Sequence, residues 1–293
     1  MSDVSPDTAR LTFRAAEPIH GMIYFSPHGR DTYAGIGLTG RAMTYFAPRS
    51  AAMGPVPAEV TVATFFNFNP DAVRSALPAA WDIATAAQVV EARYEAVDRS
   101  LRQAWGDDTG GSAVREAADL ARRAAERACD RLPGRPLFAA HASLAWPRAP
   151  HLVLWHAQTL LREFRGDSHV ALLHTEGLDG PEALITHAAT GAVPPEALRV
   201  SRFWSDEQWN AGIDRLRARG WLAPGPDLTL NPEGERWRRS LEARTDQLAT
   251  YPYEAIGADG CGRLADLTTP LSAAVMKADL NFPSALATQR RDR

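Results

Sequence analysis

Apolar residues recur every three or four positions along much of the chain, which is the spacing of one face of an α-helix. The clearest case begins after Ser205 and ends at Gly220, and between them Trp209, Ile213 and Leu216 keep this spacing. A serine before the first turn accepts hydrogen bonds from backbone N–H groups, and a glycine closes a helix because it adopts the left-handed conformation freely. The segment is therefore predicted to be one helix with both ends specified.

Two longer helices are predicted at residues 84–103 and 113–132, because neither segment contains an internal proline or glycine. The second segment carries a stripe of small and aliphatic residues at helical spacing: Val114, Ala117, Ala121, Ala124, Ala128 and Leu132. Such a stripe allows two helices to approach closely. Glycine and aspartate residues at 106–111 separate the two helices, and prolines and glycine at 133–150 predict an irregular linker.

A pattern in the N-terminal half recurs in the C-terminal half. Residues 37–40, Gly-Leu-Thr-Gly, correspond to residues 177–180, Gly-Leu-Asp-Gly, and residues 54–59 correspond to 191–196. An aromatic pair and a helix-start signal then follow in both copies, and in the first copy the helix is expected to run from Asn69 to Trp81. We interpret the pattern as an internal duplication in which each copy is predicted to form three helices separated by two turns. Chance similarity between small residues in an alanine-rich chain is the alternative.

The residues after Gly220 predict a winged helix in the C-terminal copy. The apolar runs 221–222 and 228–230 lie on either side of a turn-rich segment, so two short strands and a tight turn are expected. Asn231 and Pro232 then open another helix. A strand pair directly after a helix-turn-helix is the order of elements in a winged helix.

The quoted segments carry two family resemblances. Residues 216–246 resemble the recognition helix, wing and following long helix of MarR-type winged-helix proteins. The whole chain resembles an actinobacterial helix-turn-helix family, and the matching segments are residues 17–20, 24–25, 64–68, 155–157, 161–163, 165–169 and 203–205. Phe164 departs from that family's pattern, in which histidine is common at this position. MarR-type proteins are dimers with an apolar cavity between the helical dimerisation region and each winged helix.

The resemblance and the repeat together imply a mainly α fold with two winged-helix-like copies and long connecting helices, similar to a single-chain MarR-type pseudo-dimer. The N-terminal, winged-helix-like half would occupy residues 1–132, the linker 133–150 and the C-terminal winged-helix half 151–283. Residues 284–293 are expected to be a frayed tail. A monomer and a homodimer are both left open.

Composition excludes several classes of function. A net charge of −3 removes the overall positive field that is typical of nucleic-acid-binding proteins. Cys129 and Cys261 are too few for a disulfide framework or a cysteine-rich zinc site. No apolar run reaches the ~18 residues of a membrane-spanning helix and the N-terminus lacks the features of a signal peptide, so a cytoplasmic protein without membrane contact is expected. Nucleotide-binding glycine motifs and metal-binding motifs do not occur in the sequence, so no cofactor and no metal site are predicted.

The candidate recognition helix carries little of the chemistry that DNA binding requires. It starts Ser-Asp-Glu at 205–207, and residues 223–228, in the expected wing, contain no basic residue. The basic residues left for DNA are Arg74, Arg202, Arg215 and Arg217. Arginines on a helix surface commonly pair with acidic neighbours. A MarR-like DNA-binding regulator is therefore the alternative, and not the main interpretation.

The main interpretation is a protein of specialised metabolism that sequesters or senses an apolar or aromatic small molecule with an anionic or hydrogen-bonding group. The chain contains eight tryptophans, six tyrosines and ten phenylalanines. The predicted ligand-binding residues are His20, Tyr24, His28, Phe65, Asn67, Phe68, His156, Arg162, Arg165, Phe203 and Trp204. For any one aromatic residue, a place in the core is the better explanation.

A second alternative is a cofactor-independent enzyme that uses acid–base chemistry. An Asp-x-His pair beside two arginines suits the recognition of a carboxylate, phenolate or enolate. In this interpretation His169 is the general base and Asp167 orients it, while Arg162 or Arg165 stabilises an oxyanion. His20 or Tyr24 then supplies a proton from the opposite half. An interface network of salt bridges formed by Arg162, Glu163 and Asp167 is the structural alternative.

Overall fold

The computed structural model describes residues 3–282, and this part of the chain is mainly α-helical, as the sequence predicts. The prediction of a frayed tail at 284–293 lies outside the described residues. The first eight helices are α1 (Pro6–Gly21), α2 (Pro27–Gly35), α3 (Met43–Ser50), α4 (Ala58–Phe65), α5 (Pro70–Ala76), α6 (Ala79–Ile83), α7 (Ala86–Trp105) and α8 (Ser112–Ala128). The later helices are α9 (Pro136–Ala142), α10 (Pro150–Thr175), α11 (Gly180–Ala188), α12 (Pro195–Ser201), α13 (Asp206–Ala218), α14 (Pro232–Thr250) and α15 (Gly257–Lys277). Short 3-10 turns lie at Met22–Tyr24, Ala51–Met53, Gly106–Gly110, Cys129–Arg131 and Tyr251–Ala255.

The ends of several helices follow directly from the sequence. At the start of α13 the side chain of Ser205 accepts a hydrogen bond from the backbone N–H of Gln208, and the Gln208 side chain bonds back to the Ser205 backbone. Gly220 follows the same helix with a φ of 71°, which a residue with a Cβ adopts only with strain. At the start of α14 the side chain of Asn231 accepts hydrogen bonds from the backbone N–H groups of Glu233 and Gly234. Local capping chemistry therefore fixes the bounds of these helices.

Two local predictions need correction. The helix expected from Asn69 to Trp81 is divided into α5 and α6, because Pro78 has no N–H to continue the hydrogen-bond ladder of α5. The linker expected to be irregular contains α9, which begins at Pro136. Proline suits the first position of a helix, where its missing N–H would have had no partner. Leu137 and Phe138 then pack into two different cores.

Between α13 and α14 the structure has one isolated bridge and not the two short strands that the sequence predicts. Leu222 and Leu230 form one antiparallel bridge. The backbone N–H of Ala223 donates to the carbonyl of Thr229 at 2.9 Å. Pro224 and Pro226 lie between these residues and cannot donate to a ladder, so the pairing stays short.

The long helices form the centre of the molecule. α1 packs along α15, and α10 packs along α8. α10 also contacts α14, and α2 lies against α7. The central core includes the fully buried side chains of Trp155, Phe138 and Phe164. The small-residue stripe of α8 is buried from Val114 to Ala128, as close packing against α10 requires. The predicted helix is too long at its end, because Leu132 lies beyond α8 and is exposed.

Two smaller cores flank the central one, and each receives an aromatic side chain from the other region. Phe203 packs against the core formed by residues 33–92, whereas Phe66 packs against the core formed by residues 172–241. The indole N–H of Trp204 donates to the carbonyl of Asn67 at 2.9 Å. This exchange joins the two regions at the position where a large cavity opens.

None of the helices within residues 3–282 is long and apolar enough to cross a bilayer.

Candidate ligand-binding cavity

A cavity of about 1660 Å³ opens between α1, α2, α3 and α15. The turn after α11 and the end of α12 also contribute to its wall. Tyr24, Tyr45 and Phe203 supply aromatic surface, and Leu11 and Met276 supply aliphatic surface. Ligand pockets in proteins are on the order of 300–1000 Å³, so this cavity accommodates an organic molecule of substantial size.

Arginines dominate the charge of the cavity wall. The wall carries Arg14, Arg30, Arg41, Arg49, Arg93, Arg162 and Arg202. Among the described residues, Glu17 is the one carboxylate on the same wall. His187 also lines the cavity, and burial lowers the pKa of its imidazole to about 4, which leaves it neutral at pH 7. The cavity therefore has a strong excess of positive charge.

Arg49 and Arg162 share one buried carboxylate, Glu163. Arg162 Nη1 lies 2.9 Å from Glu163 Oε1, and Arg49 Nη2 lies 3.5 Å from the same oxygen. Burial acts to raise the pKa of Glu163, but the two guanidiniums outweigh burial and lower the pKa to about 2. Glu163 is therefore ionised, and its single negative charge offsets only one of the two positive charges.

Three buried guanidiniums on the wall keep N–H groups without a partner in the described part of the chain: Arg49 Nε, Arg93 Nη2 and Arg202 Nε. Arg49 Nη1 donates to Tyr45 Oη at 3.0 Å, and the guanidinium lies 4.4 Å from the centre of the Phe65 ring. Arg202 lies 5.0 Å from the centre of the Phe68 ring. Burial lowers the pKa of Arg202. These groups are held in place by aromatic rings while part of their hydrogen-bonding capacity stays unused.

The titration of Tyr45 reflects the positive potential of the cavity. Burial acts to raise the pKa of its phenol, but the charges of Arg49, Arg202 and Arg162 outweigh burial, and the pKa falls below its usual value. A group that is negative when ionised is thus stabilised at this position.

A chain of hydrogen bonds runs from the cavity into the central core. Tyr24 lines the cavity, and its Oη lies 2.9 Å from Nε2 of the buried His20. His20 Nδ1 lies 3.0 Å from Thr159 Oγ1, and the Thr159 hydroxyl donates to the carbonyl of Trp155 at 3.0 Å. Because Thr159 has only one proton to donate, the Nδ1–H of His20 donates to Thr159, and Nε2 accepts from Tyr24. The network therefore assigns both the tautomer of His20 and the direction of each bond.

His20 is neutral at pH 7. Burial lowers the pKa of its imidazole well below the usual value, and the charges of Arg162, Arg93 and Arg49 lower it further. Its ring is stacked on Trp155, with centroids 5.6 Å apart and planes within 9°.

The structure brings part of the predicted ligand-binding set together. Tyr24, Arg162 and Phe203 line the cavity. His20 lies directly behind Tyr24. Phe65 and Phe68 lie in the layer behind the wall, where they support Arg49 and Arg202.

The other predicted ligand-binding residues lie outside the cavity and have other contacts. His28 Nε2 donates to Gln103 Oε1 at 2.6 Å, and His156 Nδ1 lies 2.7 Å from Tyr94 Oη. Asn67 and Trp204 bond to each other through the carbonyl and indole groups described above. Arg165 pairs with two carboxylates of α14, Asp246 at 2.6 Å and Glu242 at 3.5 Å.

Asp167 and His169, the predicted acid–base pair, bond to different groups and do not line the cavity. Asp167 Oδ2 accepts the backbone N–H of Phe138 at 2.9 Å, and burial raises the pKa of this carboxyl to about 7. His169 Nδ1 lies 2.9 Å from Thr245 Oγ1, and burial lowers the pKa of the imidazole to about 4. Of the predicted catalytic residues, Arg162 lies on the cavity wall, and His20 lies behind Tyr24, which separates it from the cavity.

Sequence reasoning missed Tyr45, Arg49 and Arg93. For Arg93 a signal was present, because Val89, Arg93 and Val97 lie four residues apart and place an arginine on the apolar face of α7. The structure buries all three. For Tyr45 and Arg49 the i, i+4 spacing alone does not distinguish a binding site from a surface pair.

The arginines near the candidate recognition helices have partners. Arg215 pairs with Asp179 and with Glu182. Arg217 lies 3.7 Å from Asp214 and donates to the carbonyl of Gly225 at 3.1 Å. In the N-terminal region Arg74 pairs with Glu59 and Asp71, at 3.3 and 3.2 Å. The first turn of α13 presents the exposed carboxylates Asp206 and Glu207.

Within residues 3–282 there is no group of three or more histidine, cysteine, aspartate or glutamate side chains that could hold a metal ion.

The fold and the cavity together define a mainly helical protein with a large, positively charged internal site. The sequence pattern of a helix-turn-helix family matches residues 9–282. Because the match spans most of the chain, the protein belongs to this helix-turn-helix family. No curated protein and no solved structure matches the chain.

Proposed function

We propose that the protein binds an organic anion with an aromatic or apolar body in the arginine-lined cavity, and so acts as a sensing or sequestering protein. The observation that carries this proposal is the composition of the cavity wall, which has seven arginines and, among the described residues, one carboxylate, Glu17. A buried charge without full compensation is costly, and a carboxylate or phosphate would satisfy several of these guanidiniums at once.

The shape of the wall supports the aromatic or apolar part of the ligand. Tyr24 and Tyr45 lie with ring centroids 5.7 Å apart, and the guanidinium of Arg41 lies 4.7 Å from the centre of the Phe203 ring. Flat arginine and aromatic surfaces favour a planar ligand that stacks while its anionic group reaches Arg49 or Arg202.

A thermal-shift titration tests this function. Benzoate, phenylacetate, phenyl phosphate and phenylpyruvate serve as probes, with benzyl alcohol as the uncharged comparison. Occupancy at one hundred times the dissociation constant stabilises a protein by about 2.7 kcal/mol, so a rise of several degrees in Tm is expected for at least one anion and none for the alcohol. The rise should shrink in Arg49→Gln and persist in Arg239→Gln, which changes an exposed arginine paired with Glu235. Equal shifts for anions and alcohol would contradict the proposal.

The architecture proposed for this function is a duplicated, winged-helix-like chain similar to a MarR-type dimer. In support, α3, α4 and α5 occur in the same order as α11, α12 and α13. The first helix of each half also packs along the last helix of the other, α1 with α15 and α10 with α8. The bridge between Leu222 and Leu230 stands where a wing is expected. Coexpression of residues 1–132 with 133–293 tests this, because intertwined halves should copurify as one complex and fail to fold separately.

A DNA-binding regulator is a second candidate function, and membership of a helix-turn-helix family favours it. The pairing of Arg74 and Arg215 with carboxylates argues against it, because DNA phosphates would have to displace these partners. Electrophoretic mobility shifts on the upstream region of its own gene at ~50 mM salt test this candidate, since phosphate-driven binding strengthens as salt falls. A shift that disappears at higher salt would establish DNA binding, and no shift at low salt would remove it.

A further inference from the structure

We propose that Tyr24 and His20 form a proton relay that abstracts a proton from a bound 2-oxo acid with an aromatic side chain. This inference rests on the proposed function, because the arginines must first hold the carboxylate of the ligand. It adds a reaction to that function, namely reversible removal of the proton next to the keto group without a cofactor.

The order of groups in the relay is that of an activated hydroxyl. Tyr24 donates to His20 Nε2 at 2.9 Å, and His20 Nδ1 donates to Thr159 at 3.0 Å. Thr159 is fixed in turn by its bond to the carbonyl of Trp155. A hydroxyl, a base and a group that orients the base are the three parts that activate hydroxyls in enzymes. Here the hydroxyl is a phenol that faces a cavity, so it can meet a ligand.

The proposed step conserves atoms and charge. The C–H bond next to the keto group breaks, and its electron pair forms the C=C bond of an enolate. The proton bonds to Tyr24 Oη while the phenolic proton moves to His20 Nε2. The products are an enolate and an imidazolium, and the reverse step returns a proton to carbon.

The arginines beside Tyr24 stabilise the enolate. Arg49 lies 5.6 Å and Arg162 lies 5.5 Å from the centre of the Tyr24 ring. Either guanidinium can bind the carboxylate while the other stabilises the enolate oxygen. The same arginines lower the pKa of His20, after burial. A bound anion offsets their charge, so His20 accepts a proton more readily when the cavity is occupied.

The molecule contains a matched pair of residues outside the cavity. Tyr94 Oη lies 2.7 Å from His156 Nδ1, and neither residue lines the cavity. A tyrosine–histidine bond that serves only packing should behave like this second pair. Tyr94→Phe therefore controls for the loss of such a bond.

Phenylpyruvate in D₂O is the probe for the reaction. Loss of the methylene proton signal is followed by NMR, and binding is measured in parallel by calorimetry. Wild-type protein is expected to accelerate exchange over the buffer rate. Tyr24→Phe, which keeps the ring, should lower the catalysed rate at least 100-fold, at the lower end of the 10²- to 10⁴-fold range for general acid–base catalysis. His20→Gln should do the same, whereas Tyr94→Phe should retain the wild-type rate. Phenylpyruvate should still bind to Tyr24→Phe.

Each other outcome contradicts a definite part of the account. Binding without faster exchange overturns the relay and leaves the anion site intact. Acceleration that survives in Tyr24→Phe also overturns the relay. If benzoate binds and phenylpyruvate does not, the substrate class is wrong and the proposal with it. If no anion binds, the proposed function fails, and the relay loses its site.

Discussion

Two partly buried groups of arginines in this protein have the same chemistry and different surroundings. Between α1, α10 and α14, Arg10 and Arg165 bind Asp246 at 2.7 and 2.6 Å, and Arg238 binds Glu242 at 2.5 Å. The space beside this group is only about 10 Å³. On the cavity wall, by contrast, Arg49 and Arg162 share the single carboxylate of Glu163 next to about 1660 Å³ of open volume.

The difference separates a structural role from a binding role. Around Asp246 each guanidinium is matched with a carboxylate that it contacts and almost no space is left, so the charges hold the helices together. On the cavity wall two guanidiniums share one carboxylate beside a large open volume, and there a ligand can supply further negative charge. An arginine on a predicted helix face is therefore uninformative by itself, and its partners decide what it does.

The largest expected effect comes from neutralising Asp246, the carboxylate that Arg10 and Arg165 both contact. Asp246→Asn leaves Arg10 and Arg165 without their main partner, and removing one member of a buried ion pair typically costs ~3–5 kcal/mol. The free energy of unfolding, measured with urea, should fall by this amount. A loss below about 1 kcal/mol would show that the group is effectively solvated and that the comparison with the cavity does not hold.

Asp167 sharpens the comparison because it is a buried carboxyl with no ion pair among the described residues. Its folded pKa of about 7 lies above its usual value of 3.8, so the folded state keeps a proton that the unfolded state loses. Stability from this group therefore falls as pH rises from about 4 to 7, by on the order of 2 kcal/mol between pH 5 and 7.

The difference between wild type and Asp167→Asn isolates this contribution. Buried histidines such as His141 have lowered pKa values and contribute a dependence of the opposite sign below pH 6.5, but they are common to both proteins. Stability of the asparagine variant relative to wild type should increase with pH up to 7. A difference that is constant with pH would mean that the Asp167 pKa is not raised.

Removing a cavity arginine should have opposite effects on stability and affinity. Arg202 is half-buried with no carboxylate within ion-pair distance in the described chain, so Arg202→Met should leave the protein, measured without a probe, equally stable or more stable. Affinity for an anionic probe should fall by about tenfold, the equivalent of ~1.4 kcal/mol, because a charge-assisted hydrogen bond is lost. Denaturation and calorimetry on the same variant measure both quantities. Reduced stability with unchanged affinity would assign Arg202 to the structural class.

The smallest effect is expected at the surface. Arg239 pairs with Glu235 at 3.4 Å, and both side chains are more than half exposed. Arg239→Gln should change the free energy of unfolding by less than about 0.5 kcal/mol, since solvent screens such a pair. A larger change, detected in the same urea titration, would mean that exposure does not separate the three kinds of arginine.

Most helices were predictable from the sequence because their signals are local. Ser205, Gln208 and Asn231 cap helices through contacts within three residues, and the stripe on α8 follows from periodicity alone. The division of the helix at Pro78 and the presence of α9 were missed, although both follow from simple proline chemistry. A proline can either begin or end a helix, and the sequence alone does not say which. At Pro136 the tertiary packing of Leu137 and Phe138 contributes to the formation of a helix.

The cavity was only partly predictable, because it depends on which distant residues remain unpaired. His20 and Tyr24 were identified through their i, i+4 spacing, and Arg162 through its place beside the Asp-x-His pair. Arg165 and Arg162 are indistinguishable by spacing, yet one faces Asp246 and the other faces the cavity. His169 and Asp167 suggested chemistry as a sequence pair, but each bonds to a different helix. Such partners come from the fold and not from neighbouring positions.

The most direct test of the central claim is a calorimetric comparison of phenylacetate with phenylacetamide, which have nearly the same shape and differ in charge. If the cavity binds organic anions through unpaired guanidiniums, wild-type protein prefers phenylacetate by at least about tenfold, and the preference disappears in Arg49→Gln and Arg202→Gln. Equal affinity for the acid anion and the amide in wild-type protein, or a preference unchanged in both variants, would contradict it.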